Sequence, residues 1–295
     1  ASPWLIGFVV FTFGATAASL VLSFSKWDAI SAAHFIGLRN YVQLFTADGL
    51  FYKSLGVTFY YAVFSIPLAI VGGLVVSLLM NTNVFGIRIF RTIYYLPVVI
   101  SGVATAVLWQ FIFNPTTGLL NRLLTTNVLP WISGGKLEFV PIWSTPPGWL
   151  LDPAWAMPAF IIMGLWSVGG SMVIYLAALQ GVPEQLYEAA KLDGAGSWKA
   201  FLHVTLPMLT PAIFYQLVVG TMNALQMFTQ AYIMTGGGPE DSTMFYALYL
   251  FKNGFEWMKM GYASAMAWIL FAVVLLITLV HFKGASRWVY YEAEK

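Results

Sequence analysis

The sequence predicts an all-α integral membrane protein with six transmembrane helices, and three observations carry that prediction. Of its 295 residues, 59% are hydrophobic and only 9% are charged, whereas soluble domains carry about 25% charged residues. Six apolar runs, at 4–24, 57–80, 93–113, 156–180, 208–232 and 262–282, are each long enough to cross a hydrocarbon layer of about 30 Å as a helix. None of the six contains Asp, Glu, Lys or Arg, and such a charge at a helix centre would cost about 2.5–3.5 kcal/mol on insertion. The net charge of +2 gives no footprint for nucleic acid, and the absence of cysteine excludes disulfides and thiolate metal sites within the chain.

Taken in order, the first run starts just after Ala1, where the chain has no Met, so a further, basic N-terminal segment is expected ahead of it. The second run holds Pro67, Gly72 and Gly73, the third Pro97, the fourth Pro158, Gly164, Gly169 and Gly170, and the fifth Pro211. In lipid, prolines are tolerated where neighbouring helices satisfy the freed carbonyls, and glycines permit close helix approach. His281 lies at the end of the sixth run. The loop 114–155 carries Trp131, Trp143 and Trp149 and the rigid turn TPPGW. These tryptophans fit an interfacial aromatic belt and equally a docking surface for an external partner. The TGGGP at 235–239 lacks the lysine of a phosphate loop and reads as a glycine helix stop followed by proline.

Six spans place both termini on one side. The short loops 81–92 and 181–207 and the tail 283–295 carry Arg88, Arg91, Lys191, Lys199, Lys283, Arg287 and Lys295. The opposite loops 25–56, 114–155 and 233–261 carry Lys26, Arg39, Lys53, Arg122, Lys136, Lys252 and Lys259, the same number spread over about twice the length. Charge density therefore favours the first set as cytoplasmic.

The chemistry that is missing narrows the class. Carriers driven by protons or sodium need ionisable groups within the membrane, and the spans hold no carboxylate. No G-x-x-x-x-G-K-[ST] pattern is present for nucleotide hydrolysis, and His34, His203 and His281 have no metal-ligand spacing. What remains is polar and uncharged. In the fifth run, Asn223, Gln226 and Gln230 recur at i, i+3 and i+7 with Thr229 beside them, a stripe down one helix face. Amides are costly against lipid, so the stripe faces other helices or an aqueous path. Interhelical hydrogen bonding explains it; so does a path for an uncharged, hydroxyl-rich solute, since amides both donate and accept. Ser101, Trp166 and Ser167 on other spans would complete such a site, with Trp166 offering a stacking face.

The remaining polar island lies between the fourth and fifth runs. Pro183 suits a first helical turn, and Glu184 and Glu188 favour its dipole. A short helix over 184–192 is predicted, broken at Asp193-Gly194, where glycine is free to take positive φ. Ser197 is the expected N-cap of a second short helix leading to Pro207. This makes an elbow with small residues at its bend, consistent with a simple interfacial loop and with a docking surface.

The residues 188–211, EAAKLDGAGSWKAFLHVTLPMLTP, resemble the EAA signature of the permease subunits of bacterial ABC importers. Glu188, Ala189, Ala190, Asp193, Gly194, Ala195, Phe201, Leu206, Pro207 and Pro211 stand at its key positions. The stretches 91–121, 232–243 and 255–271, and GLRNYVQLF before the second run, are similar to the sugar-importing branch of maltose- and glycerol-phosphate-type permeases. Together these cover most of the chain from about residue 55 to 283.

The resemblance implies a type I ABC importer permease fold. It divides the chain into a first helix with external segment (1–56), a core of five spans (57–283) containing the EAA loop (183–207), and a cytoplasmic tail (284–295). It implies a non-catalytic subunit in the bacterial plasma membrane, with the EAA loop and C-terminus cytoplasmic. Glu188, Ala189, Ala190, Asp193, Gly194 and Ala195 would couple to an ATPase. By the same resemblance, substrate contacts fall at Leu225, Gln226 and Thr229, around 164–167, and around 98–102. The chain would bind no cofactor or metal itself, ATP and Mg²⁺ being used by two partner ATPase subunits. A second homologous permease, an extracytoplasmic solute-binding protein and a sugar or oligosaccharide complete the implied assembly. Import of glycerol-phosphate or another polyol is the alternative substrate reading, although the spans offer phosphate no cation. A stand-alone carrier or channel is the competing class.

Overall fold

The computed structural model describes residues 2–82, 84–125, 127–133, 136–141 and 145–290. Trp143 and Lys295 lie outside these, as do the side chains of Trp131 and Lys136. The order of elements is α1 (Trp4–Ser23), β1 (Ser25–Lys26), β2 (His34–Phe35), α2 (Arg39–Ala47) and α3 (Gly49–Met80). There follow α4 (Ile87–Val99), α5 (Gly102–Ile112), α6 (Leu119–Thr125), β3 (Asn127–Ser133), β4 (Lys136–Pro141), α7 (Pro153–Leu165) and α8 (Gly169–Gln180). The remainder is α9 (Glu184–Leu192), α10 (Ser197–Ala200), a π turn (Phe201–Thr205), α11 (Leu206–Leu225), α12 (Thr229–Met234), α13 (Tyr246–Phe251), a further π segment (Lys252–Glu256) and α14 (Met260–Ala285).

Four helical stretches, Trp4–Ser23, Gly49–Met80, Ser197–Met234 and Met260–Ala285, are long and apolar enough to cross a membrane, and two bent pairs bring the total up to six. The protein is thus a helical membrane protein, with two antiparallel two-stranded hairpins, β1–β2 and β3–β4, in its loops.

The expected third span is a bent pair rather than one helix. Its halves, α4 and α5, meet at 102°. Pro97 lies inside the last turn of α4 and removes a backbone donor. Ile100 and Ser101 are then extended, and Ser101 Oγ accepts from the Ala104 N–H at 3.3 Å to cap α5. The fourth span bends by 42° at 166–168, between α7 and α8. The fifth is interrupted between α11 and α12, so the amide stripe does not run down one continuous helix.

The bundle is built around α3, which packs against α7, α8, α11 and α13. Close approach rests on glycine. A Cβ on Gly73 would lie 2.6 Å from Ser171 Cβ, and one on Gly169 would lie 1.9 Å from the Tyr94 carbonyl oxygen, so at these two points α8 meets α3 and α4 only because the glycine has no side chain. The main core is aromatic, with Phe51, Phe113, Phe160, Phe245 and Tyr246 fully buried. α1 is exposed along its length and leans on α14, where Trp268 Nε1 donates to Ser19 Oγ at 3.1 Å. Asn40 Nδ2 closes the end of α1 by donating to the carbonyls of Ser23 (2.8 Å) and Ser25 (3.0 Å).

α3 begins at Gly49, eight residues before the sequence expectation, because Asp48 caps it: Oδ1 accepts from the Phe51 N–H at 2.9 Å. The other carboxylate oxygen accepts from Tyr249 and Tyr262, tying α3 to α13 and α14. Burial, and then the hydrogen bond to the Asp48 carboxylate, hold the Tyr249 phenol well above its ordinary pKa.

Candidate functional site: a polar uncharged cavity and an exposed elbow

The bends in the third and fourth spans and the interruption of the fifth converge on one cavity of about 630 Å³. Its walls come from α3 (Tyr61, Ser65), the α4–α5 bend (Val98, Ile100, Gly102, Thr105), the α7–α8 bend (Trp166, Ser167) and α11–α12. From the last come Gln216, Asn223, Gln226, Thr229 and Gln230. Among the described residues, no Asp, Glu, Lys, Arg or His lines it. Hydroxyls and amides, with an indole at one side, can exchange hydrogen bonds with a neutral polyhydroxy solute and stack on its apolar face. The indole is fixed: the ring of Trp166 lies edge-on to Trp109 at 6.0 Å between centroids.

Of the residues singled out in the sequence, Asn223, Gln226, Thr229, Trp166 and Ser167 line this cavity. Two do not. Leu225 is 2% exposed and packs in the hydrophobic core, because the helical turn that aims Asn223 at the cavity aims its neighbour inward. Ser101 is spent on capping α5, and its neighbours Ile100 and Gly102 line the wall instead. Sequence reasoning missed Gln216, Tyr61, Ser65 and Thr105. Gln216 was findable, since 216, 223 and 230 stand seven apart. The others had no signal, because their polarity is ordinary for a packed helix.

The far end of α12 is held from α5. Gln110 Nε2 donates to the carbonyls of Ile233 (2.9 Å) and Met234 (3.3 Å), two acceptors that the short helix leaves free at its end.

At the other end of α11 stands the elbow. α9 spans the expected residues, with Pro183 in the extended N-cap position rather than in the first turn. Gly194 has φ +74°, and its N–H bonds Lys191 O at 3.0 Å while Ala195 N–H bonds Ala190 O at 2.9 Å. This is a Schellman stop, which a side chain at Gly194 would strain. Gly196, not Ser197, holds the N-cap position of α10. Neither α9 nor α10 has a buried residue, and Leu192 (89% exposed) and Trp198 (69%) stand in the open. Glu188, Ala189, Ala190, Asp193, Gly194 and Ala195 are thus brought together on a projecting bend.

A polar cavity at broken helices, joined to an exposed elbow, is the arrangement of a membrane permease. Residues 65–283 match the family described as binding-protein-dependent transport system inner membrane component. The chain is 41% identical to the probable ABC transporter permease protein YesP of Bacillus subtilis, covering 100% of this chain and 91% of that protein. It is 32% identical to the lactose transport system permease protein LacF of Rhizobium radiobacter, covering 86% and 82%. Among solved structures it is similar to a chain of the bacterial alginate ABC transporter in complex with alginate pentasaccharide-bound periplasmic protein, with TM-score 0.78, 25% identity, and 97% and 92% covered. The chain therefore belongs to the family of ABC transporter permeases, as a non-catalytic, multi-pass inner-membrane component of a binding-protein-dependent transport system.

Proposed function

We propose that this permease forms half of the pathway for a neutral sugar or oligosaccharide, opened alternately to the outside and to the cytoplasm. The observation that carries this reading is the cavity, polar on several walls and lined, among the described residues, by no carboxylate, amine, guanidinium or imidazole. Its amides and hydroxyls suit hydroxyl groups, and an indole face suits a pyranose ring. Relatives named for lactose transport and a similar transporter of alginate support a carbohydrate as cargo. Glycerol-phosphate fits less well, since a buried phosphate calls for a cation.

In this reading a second permease supplies the facing half, and an external binding protein delivers the sugar. Of two ATPase subunits in the assembly, one docks on the elbow at 183–207, whose exposed Leu192 and Trp198 suit a protein groove. The elbow and C-terminus then lie on the cytoplasmic side, in keeping with the denser basic residues there.

The test is reconstitution of the permease pair, ATPase and binding protein in proteoliposomes, with radiolabelled neutral oligosaccharides as cargo. Uptake that requires ATP, the elbow and the binding protein is the expected result. Gradient-driven uptake by this chain alone would overturn the reading.

A further inference from the structure

The elbow has little packing of its own: among the described residues α9 has no buried residue, and its main contacts are with α10 and the π turn at the foot of the fifth span. Among the described residues, the single side-chain hydrogen bond leaving α9 joins the Tyr187 hydroxyl to Thr205 Oγ1 at 2.9 Å. Thr205 is 5% exposed and is the last residue of the π turn. Buried hydroxyls keep their partners, so this bond ties the exposed elbow to the buried base of α11.

The base of α11 is a stiffened point. The Leu206 N–H reaches back five residues to Phe201 O, closing the widened turn just before Pro207, which has no N–H. Pro211 likewise cannot donate, and Thr210 Oγ1 takes the Pro207 carbonyl instead at 2.6 Å. The Tyr290 N–H of the tail donates to Thr210 Oγ1 at 2.9 Å, and Phe214 is flanked by the rings of Phe282 and Trp288. From this base α11 runs to Asn223 and Gln226 on the cavity wall. Widened turns inside helices recur at functional sites.

We propose that Tyr187 and Thr205 are positioning residues that form a strut. It carries displacement of the elbow into the fifth span, and so into the cavity, through the π turn. The proposal rests on the reading of 183–207 as the ATPase-coupling elbow. It adds which contact transmits the movement.

The test uses the complete transporter in lipid nanodiscs, with Mg-ATP as the probe. The chain has no native cysteine, so a bimane label on Val219→Cys, on the cavity wall of α11, reports movement there while hydrolysis is measured in the same sample. Tyr187→Phe and Thr205→Val are expected to keep hydrolysis near wild type while the ATP-dependent label response falls several-fold. The double variant should match either single one, and Thr205→Ser should retain the response. A full response in Tyr187→Phe and Thr205→Val overturns the strut. So does failure of these variants to co-elute with the ATPase, which would make the contact purely structural. Gly194→Pro separates the two levels. If it disturbs hydrolysis or response while Tyr187→Phe does not, only the strut falls. If Gly194→Pro is silent in both, the coupling reading falls and the strut with it.

Discussion

Gln110 and Ile233 are 123 residues apart in sequence, yet the amide of the first donates to the carbonyl of the second at 2.9 Å. The bond holds α12 against α5, and both helices flank the cavity where their spans are broken. Replacing Gln110 with Leu keeps the bulk and leaves the Ile233 and Met234 carbonyls without this donor. The expected cost is about 1–3 kcal/mol, read as a lower melting temperature of the purified permease complex. Reconstituted uptake should fall with it, because α12 carries Thr229 and Gln230.

Within the cavity, Gln226 and Gln230 should differ. Gln226 is exposed to the cavity at the end of α11, whereas Gln230 is half-buried beside Gly102. Gln226→Ala is expected to slow uptake of a neutral oligosaccharide about fivefold for each hydroxyl contact of ~1 kcal/mol lost. Gln230→Ala should do less. Initial uptake rates at subsaturating sugar compare them directly, and equal wild-type rates would remove both from the pathway.

Asp48 concentrates three bonds on one carboxylate: the α3 cap and the phenols of Tyr249 and Tyr262. Asp48→Ala should destabilise the complex by about 2–4 kcal/mol, combining a lost cap with lost bonds to a charged group. Asp48→Asn should cost less, since its amide oxygen still accepts. The Tyr249 phenol has its pKa raised in the fold. Its neutral form is the one stabilised, so its contribution is complete below the ordinary tyrosine value of about 10 and is lost only as pH rises through the higher folded value. Ultraviolet difference titration should therefore find Tyr249 still protonated at about pH 10, and Asp48→Ala should lower its pKa.

Gly73→Val tests the crossing of α3 and α8. The new Cβ would meet Ser171 Cβ at 2.6 Å with the Tyr175 ring 3.2 Å away. Such overpacking costs about 1–3 kcal/mol. A shifted melting temperature is expected, and the paired Ser171→Gly change should recover part of it. Gly7→Val, where a Cβ would meet nothing within 4 Å, is the matched control and should leave stability nearly unchanged.

The sequence by itself determined where the apolar spans and the elbow lie. These are local properties: runs without charge and a helix stop at Asp193-Gly194 can each be read within one short stretch. The positive φ at Gly194 and the helix over 184–192 were legible for the same reason. The break at Ile100–Ser101 was half legible, since Pro97 and a Ser-Gly pair mark a stop and a start, although neither reveals an angle of 102°. Nothing in the residues at 226–228 announces the second break, since no proline or glycine lies there; the bonds from Gln110 hold the far end of α12. Only the tertiary structure decided that Leu225 turns into the core while Asn223 and Gln226 face the cavity, and that Tyr187 meets Thr205. The physical reason is common to all of these. A membrane span is specified by the polarity of its own side chains, whereas a cavity wall or a strut is a relation between spans, set by how helices bend and pack.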